Sequence, residues 1–359
     1  MKPDEKLRRY RDTMPESATV VQMTVDDNAM AHIMDVLSKQ YSDPELACVR
    51  EYSTNAWDAH VEAGQKRPIE VTTPTRDKPY LTIKDYGIGL DREAIVNIYS
   101  RYGTSTKRET NDQNGMLGLG CKSALAYSDQ FTVIGVKNGI RTTVLVGRDE
   151  DGGASQTIVD ERETTEHNGV TVQIPAKQSN SFKEKAERLF AFWPKGQVLL
   201  NGAHVEPIGK GAGSKADPDE GTFWLDDHVL LTKNEYAGRD LIVMGNVPYP
   251  LYDDAQPLFE EGRRSYRYSS DGFNAVCFVP IGTVNFAPSR EMLMDTKRTK
   301  DALDKLRAHI KAKRDEAVIK QVAEAKTAKE AQDTLRTGQR LGFKGTAQWQ
   351  GRDVLLSLS

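Results

Sequence analysis

Residues 45–64 read ELACVREYSTNAWDAHVEAG and set Glu51, Asn55 and Asp58 at spacings of four and three. At about 100° per residue, Asn55 falls about 40° to one side of Glu51 and Asp58 about 20° to the other, so the three share one helical face. Leu46, Val49 and Ala56 lie on the opposite side. Ser42-Asp43-Pro44 supplies an N-cap with proline in the first helical position, and Gly64 supplies the stop. A helix is predicted here. Taken alone, an ExxxNxxD row is the solvent stripe of an amphipathic helix, so the neighbouring segments have to decide what it is for.

Further along, LTIKDYGIGL (81–90) ends a predicted strand in Asp85-x-Gly87-x-Gly89. Glycines there permit backbone angles and close approaches denied to other residues. RYGTSTKRETNDQNGMLGLGCKSALAYS (101–128) then carries Gly103, Gly115, Gly118 and Gly120 into a predicted helix at Lys122. Glycines ahead of a helix start suit a phosphate cradle. Each fragment has a bland reading as a turn or loop. A helix with acids and asparagine, a strand ending in DxGxG, a Gly-rich segment and a helix start, in that order, form a specific constellation.

The chain has 359 residues, room for two domains and a core that needs no staples. It is 38% hydrophobic and 28% charged with a formal net charge of -3, a globular composition whose bulk charge names no partner. Cys48, Cys121 and Cys277 form no CxxC pair, which points to a reducing compartment and against structural zinc. MKPDEKLRRYRDTMPES has basic residues with no apolar run behind them, and no segment approaches about 18 uninterrupted apolar residues. Neither a signal peptide nor a membrane span is expected, and the cytoplasm is the expected location.

The expected organisation starts with a polar arm, 1–17. A domain at 18–178 follows, opening with a strand at ATVVQMTV and a helix with Met30, Ile33, Met34 and Leu37 at helical spacing. It continues through strands at IEVTTP and YLTIKDYG, a helix at DREAIVNIYSRYG, and strands at FTVIGVKNG, RTTVLVGRD and GVTVQIP. Where the pattern relaxes into AKQSNSF, a second domain is placed at 179–300. It has a helix at SFKEKAERLFAFW and strands at QVLLNG, RDLIVMGNVPYPL and NAVCFVPIG. GKGAGSKADPDEG (209–221) reads as a loop. Residues 301–359 hold a long charged helix, expected over 296 to about 335, and a tail. Helices followed by mostly antiparallel strands define an α+β class.

ELACVREYSTNAWDA, DYGIG and GMLGLGCKSA resemble the N, G1 and G2 boxes of the GHKL ATPases, the superfamily of gyrase, the ninety-kilodalton heat-shock chaperone, histidine kinases and mismatch-repair MutL. The resemblance implies a Bergerat-type α/β sandwich that binds ATP and Mg²⁺, followed by an α/β transducer domain and a C-terminal helix. It assigns Asn55 to Mg²⁺, Glu51 to activation of the attacking water, and Asp85 to the adenine amino group. Asp58 would hold a water near the adenine or the metal. Gly87 and Gly89 would let backbone pass against the base. In the segment that begins near Gly115, the amides of Gly118, Leu119, Gly120 and Cys121 would receive phosphate oxygens. Lys107 would add positive charge unless it is an ordinary loop lysine, with Thr106 and Lys122 as lesser candidates. The chemistry fits, because Mg²⁺ takes hard oxygen donors and a carboxylate one turn away can orient a water. One departure is Val170, which stands where the family often has an adenine-binding Thr; Thr171 would face the other way.

VPIGTVNFAPSREMLMD (279–295) contains Ser289-Arg290-Glu291, by itself no more than a helix cap. It resembles the catalytic loop of the chaperone's middle domain, which implies that Arg290 reaches the γ-phosphate; Met294 replaces a Gln there. Over about 20–300 the chain further resembles phage proteins of the rIIA type, the rapid-lysis proteins of T4-like phages. AHIMDVLSKQYSDPELACVREYSTNAWDAHVEAG carries most of that likeness. It implies a slow ATPase in the infected cell, with a lid at about 101–120, an ATP-dependent homodimer and an unknown protein client. Histidine kinase is disfavoured, since no histidine sits in a phosphoacceptor context, and His32 and His60 read as ordinary helix residues. The alternatives are a nucleotide-gated binding module with negligible turnover and an ATP-operated DNA clamp using TKRTKDALDKLRAHIKAKR (296–314). DNA is not the favoured partner, because acids interrupt that stretch and no aromatics interleave.

Overall fold

The computed structural model describes residues 39–100, 120–150, 153–176, 180–208, 222–233, 238–259, 273–340 and 342–354. The expected arm, the strand at 18–25 and most of the helix after it lie outside the described residues, as does the Gly-rich stretch 101–119.

Helix α1 spans Pro44–Ala63 and is capped as its sequence predicts. Asp43 Oδ1 accepts the Leu46 amide at 3.0 Å, and Gly64 ends the helix at φ 62. After it come β1 (Ile69–Thr72), β2 (Tyr80–Lys84), α2 (Arg92–Ser100) and a 3-10 turn at Gly120–Ala126. Next are β3 (Gln130–Lys137), β4 (Ile140–Arg148), β5 (Ala154–Glu163), β6 (Gly169–Pro175), α3 (Asn180–Phe190), β7 (Val198–Leu200) and β8 (Ala203–His204). The eight strands form one sheet in the order β5-β4-β3-β6-β2-β1-β7-β8, antiparallel except for β1 with β7. Burial alternates along the central strands: Leu81, Ile83, Phe131, Val133, Val172 and Ile174 turn inward. They meet Cys48, Val49, Tyr52 and Ala56 of α1 and Phe182, Leu189 and Phe190 of α3 in one core. The result is an α+β sandwich with helices on a largely antiparallel sheet.

This sheet and core continue past the expected boundary at 178–179. β7 pairs in parallel with β1, Ile69 opposite Val198, and Trp193 packs edge-on against Trp57 of α1 at 6.3 Å. Lys185 of α3 bridges to Asp43 and Glu45 at 2.7 and 2.8 Å. The described residues on either side of AKQSN therefore belong to one unit, which runs to about Val205. A polar loop and a domain linker look alike in sequence, because both are solvated backbone.

The second unit is a five-stranded sheet in the order β12-β11-β13-β10-β9. Its strands are β9 (Thr222–Trp224), β10 (Val229–Thr232), β11 (Leu241–Met244), β12 (Val247–Pro250) and β13 (Asn274–Val279). RDLIVMGNVPYPL folds as a hairpin, turning at Gly245 and Asn246 with φ 57 and 66. Leu303 and Ile310 of α4 (Lys297–Glu324) complete the core of this unit. The single helix expected to about 335 breaks at Ala325, which is extended at ψ 138, and restarts as α5 (Ala328–Arg340). Thr327 caps the restart by accepting the Glu330 amide. A two-stranded ribbon, β14 (Gln348–Trp349) with β15 (Arg352–Asp353), folds back so that Trp349 Nε1 donates to the Ala325 carbonyl at 2.7 Å. Residues 355–359 lie outside the described residues. No helix among the described residues is long and apolar enough to cross a membrane.

Candidate nucleotide site

The polar face of α1 is not a solvent stripe. Glu51 is 4% and Asp58 5% exposed, while Val49 and Ala56 on the other side are also buried. Burying a carboxylate is costly unless something compensates it, so the partners of these groups matter. Asn55 is half-buried on the same face and has no side-chain hydrogen bond among the described residues.

Both oxygens of Glu51 are engaged by arginines. Arg50 Nε donates to Oε1 at 2.9 Å, and Arg290 Nη1, reaching over from the second unit, donates to Oε2 at 3.0 Å. Burial works to raise the Glu51 carboxyl, but the charges of Arg290 and then Arg50 outweigh it and hold the group below the ordinary range. Arg50 Nη2 also donates to the Ser289 carbonyl at 2.6 Å, a second link between the units. The Ser42 and Asp43 amides donate to Glu291 Oε1 at 2.8 and 3.2 Å, a third.

Arg290 occupies the left-handed region at φ 58, its amide bonded to the Ala287 carbonyl at 2.7 Å. That conformation costs a non-glycine residue about 1 kcal/mol or more and persists only where its surroundings enforce it. Nε donates to the Tyr249 hydroxyl at 3.2 Å, and the guanidinium sits 5.7 Å from the Phe286 ring. Burial would lower its pKa, but Glu51 and Tyr249 outweigh burial and keep it charged. Nη2 is buried with no hydrogen-bond partner among the described residues.

Asp85 is equally buried and differently compensated. Oδ1 accepts the amides of Gly87 at 2.9 Å and Val170 at 3.2 Å, and no cation among the described residues pairs with it. Burial therefore dominates and pushes the carboxyl up to about 6, against the pull of the two amides. Val170, at the position where the resemblance expects a Thr, is tied to Asp85 through its backbone, its carbonyl also accepting the Asp85 amide at 2.9 Å. The bend at 85–89 lies directly on the end of α1. A Cβ at Gly87 would stand 2.6 Å from the Ala59 carbonyl, and one at Gly89 would stand 1.9 Å from the Val136 carbonyl.

Gly120 closes the arrangement at the Glu51 end, where a Cβ would meet Oε2 at 2.5 Å. The helix expected at Lys122 is a 3-10 turn. It is tied to α1 by the Tyr52 hydroxyl, which donates to the Cys121 carbonyl at 2.7 Å. Lys122 turns inward, Nζ donating to the Ile98 carbonyl at 3.2 Å and to Cys121 Sγ at 3.5 Å. Lys107, Gly115, Gly118 and Leu119 lie outside the described residues. Sequence reasoning passed over Arg50, Thr54 and Tyr249. Only Arg50 had a signal, its place directly before Glu51; Thr54 Oγ1 lies 3.4 Å from Arg290 Nη1.

These residues fit ATP with Mg²⁺. An unengaged carboxamide stands one turn from a carboxylate, a buried guanidinium nitrogen lacks a partner among the described residues, and a buried acid beside a glycine bend has one oxygen left for a donor.

Residues 42–177 match the family described as Histidine kinase-, DNA gyrase B-, and HSP90-like ATPase, and this segment is a GHKL-type ATPase domain. Over 98 residues, 25% of the chain, it is 32% identical to a subunit of the Type 2 DNA topoisomerase 6 of Metallosphaera sedula. It is 31% identical over 98 residues to the corresponding subunit from Sulfurisphaera tokodaii. The match spans 18% of the length of each of these curated relatives.

Proposed function

We propose that this protein is a slow Mg²⁺-dependent ATPase in which nucleotide state controls how the second unit docks on the first. The observation that carries the reading is the buried Arg290–Glu51 contact between the units, beside the unengaged Asn55. Mg²⁺·ATP supplies the electrophilic phosphorus and a metal charge that spreads over the phosphates. Asn55 holds the metal through its carboxamide oxygen, and Asp85 accepts a hydrogen bond from the adenine amino group. Glu51 orients the attacking water, which requires one of its oxygens to be released by an arginine. Arg290 is the one that can move to the phosphate, since its Nη2 already lacks a partner among the described residues. Exchange of Arg290 between carboxylate and phosphate then couples hydrolysis to docking. An ATP-dependent homodimer, an unknown protein client, a cytoplasmic location and the rIIA-like character carried by residues 31–64 complete the proposal. They rest on family resemblance.

The test is phosphate release by the purified full chain, with and without Mg²⁺, compared with Glu51→Ala. Release should require Mg²⁺ and fall about 10²- to 10⁴-fold in the variant, the range of a lost general base, while a nonhydrolysable ATP analogue still binds. Unchanged release would remove Glu51 from the mechanism, and absence of release from both would favour the binding module. The topoisomerase relatives give the DNA-clamp reading one specific support. ATP-dependent DNA retention that weakens steeply with salt would establish it.

A further inference from the structure

His60, expected to be an ordinary helix residue, is fully buried near the end of α1. The Tyr86 amide donates to its Nε2 at 2.7 Å, so that nitrogen carries a lone pair. The proton then belongs on Nδ1, which donates to the Arg67 carbonyl at 3.0 Å. Only the neutral Nδ1–H imidazole satisfies both partners; an imidazolium has no acceptor for Tyr86. Burial lowers the pKa of the ring, the Arg67 carbonyl opposes this, and the Arg67 charge adds to it.

The Tyr86 nitrogen belongs to the peptide that joins it to Asp85, so holding it fixes the direction in which the Asp85 side chain leaves the backbone. The surroundings hold the same turn. The Tyr86 hydroxyl donates to Glu70 Oε1 at 2.6 Å, and its ring lies under the Arg67 guanidinium at 3.7 Å and the Lys84 ammonium at 5.0 Å. Gln65 Nε2 donates to the Tyr86 carbonyl at 3.4 Å, and the Trp57 and Tyr86 rings flank the imidazole at 6.0 and 6.3 Å. We infer that His60 is a positioning residue for base selection: its neutral imidazole fixes the Asp85–Tyr86 peptide and so aims the Asp85 carboxylate at an exocyclic amino group. This deepens the ATP-site reading and rests on it.

The experiment compares binding of ATP and inosine triphosphate, which carries a carbonyl in place of the amino group, to the full chain. The native protein should prefer ATP. His60→Ala should reduce that preference about tenfold, the value of one positioned hydrogen bond. His60→Gln, whose side-chain carbonyl can accept from Tyr86, should restore it to within about threefold. An unchanged ATP preference in folded His60→Ala, or equal weakening of both nucleotides, would overturn the inference. The ¹⁵N signature of the native imidazole supplies a readout that needs no nucleotide and no variant. A neutral Nδ1–H ring at pH 7 is expected, and an Nε2–H or charged ring overturns the inference. If the native chain binds neither nucleotide, the ATP reading fails and the ring signature still decides the contact.

Discussion

Glu51 and Asp85 are both almost fully buried, yet one is held below the ordinary carboxylate range and the other is raised to about 6. Glu51 meets two guanidinium groups, one of them from the other unit. Asp85 meets only backbone amides among the described residues. Burial is common to both, so the counter-charge decides the protonation state. The Glu51 end of the site is charged, and one of its two arginines comes from the second unit. The Asp85 end is held within the first unit, by the Gly87 and Val170 amides and by His60 through the Tyr86 amide.

Three substitutions and one titration put that contrast to the test. The largest effect is expected from Arg290→Ala, which should slow phosphate release about 10³-fold if the guanidinium serves the transferring phosphate. A loss under about threefold would confine Arg290 to pairing with Glu51.

Next come two isosteric changes of opposite sign, read by urea unfolding without nucleotide. Glu51→Gln leaves two arginines under-compensated and should cost about 3–5 kcal/mol, the usual penalty for breaking a buried pair. Asp85→Asn removes a charge that the fold desolvates. From 3.8 to about 6 is roughly two units, so the variant should gain at most about 3 kcal/mol at pH 7 while losing ATP affinity. Equal destabilisation by both would mean that packing, not charge, governs the two sites.

The smallest effect is in pH dependence. The folded pKa of Asp85 is raised, so its penalty is absent below about 3.8 and appears in full as pH rises through about 6. Nucleotide binding should run the other way, weakening up to about tenfold per unit as pH falls below about 6 and the carboxyl protonates. The folded pKa of Glu51 is lowered, so its contribution is present above about 4.5 and is lost only as pH falls through the folded value. Affinity that is flat between pH 7 and 5 would show that Asp85 does not meet the base as a carboxylate.

Legibility followed the kind of signal each element carries. α1 was readable to its caps, because Asp43, Pro44 and Gly64 each act locally. β5 was not read at all: ASQTIVDERE is an exposed edge strand whose charges guard it against pairing, so apolar alternation is missing. The continuation of the sheet past 178–179 was not legible, because the pairing of β7 with β1 joins residues far apart in sequence. The break at 325–327 was missed because Ala325 and Lys326 are good helix formers, and what fixes the break is the return of α5 and Trp349 onto α4.

Residue order was enough to establish a GHKL-type ATPase domain and the row Glu51, Asn55 and Asp58, because helical periodicity and glycine stereochemistry are local properties. Only the folded arrangement revealed that Glu51 is gripped by an arginine 239 positions away and that a histidine holds the turn bearing Asp85. Those contacts depend on which buried polar groups the fold leaves facing one another, and no sequence spacing encodes that.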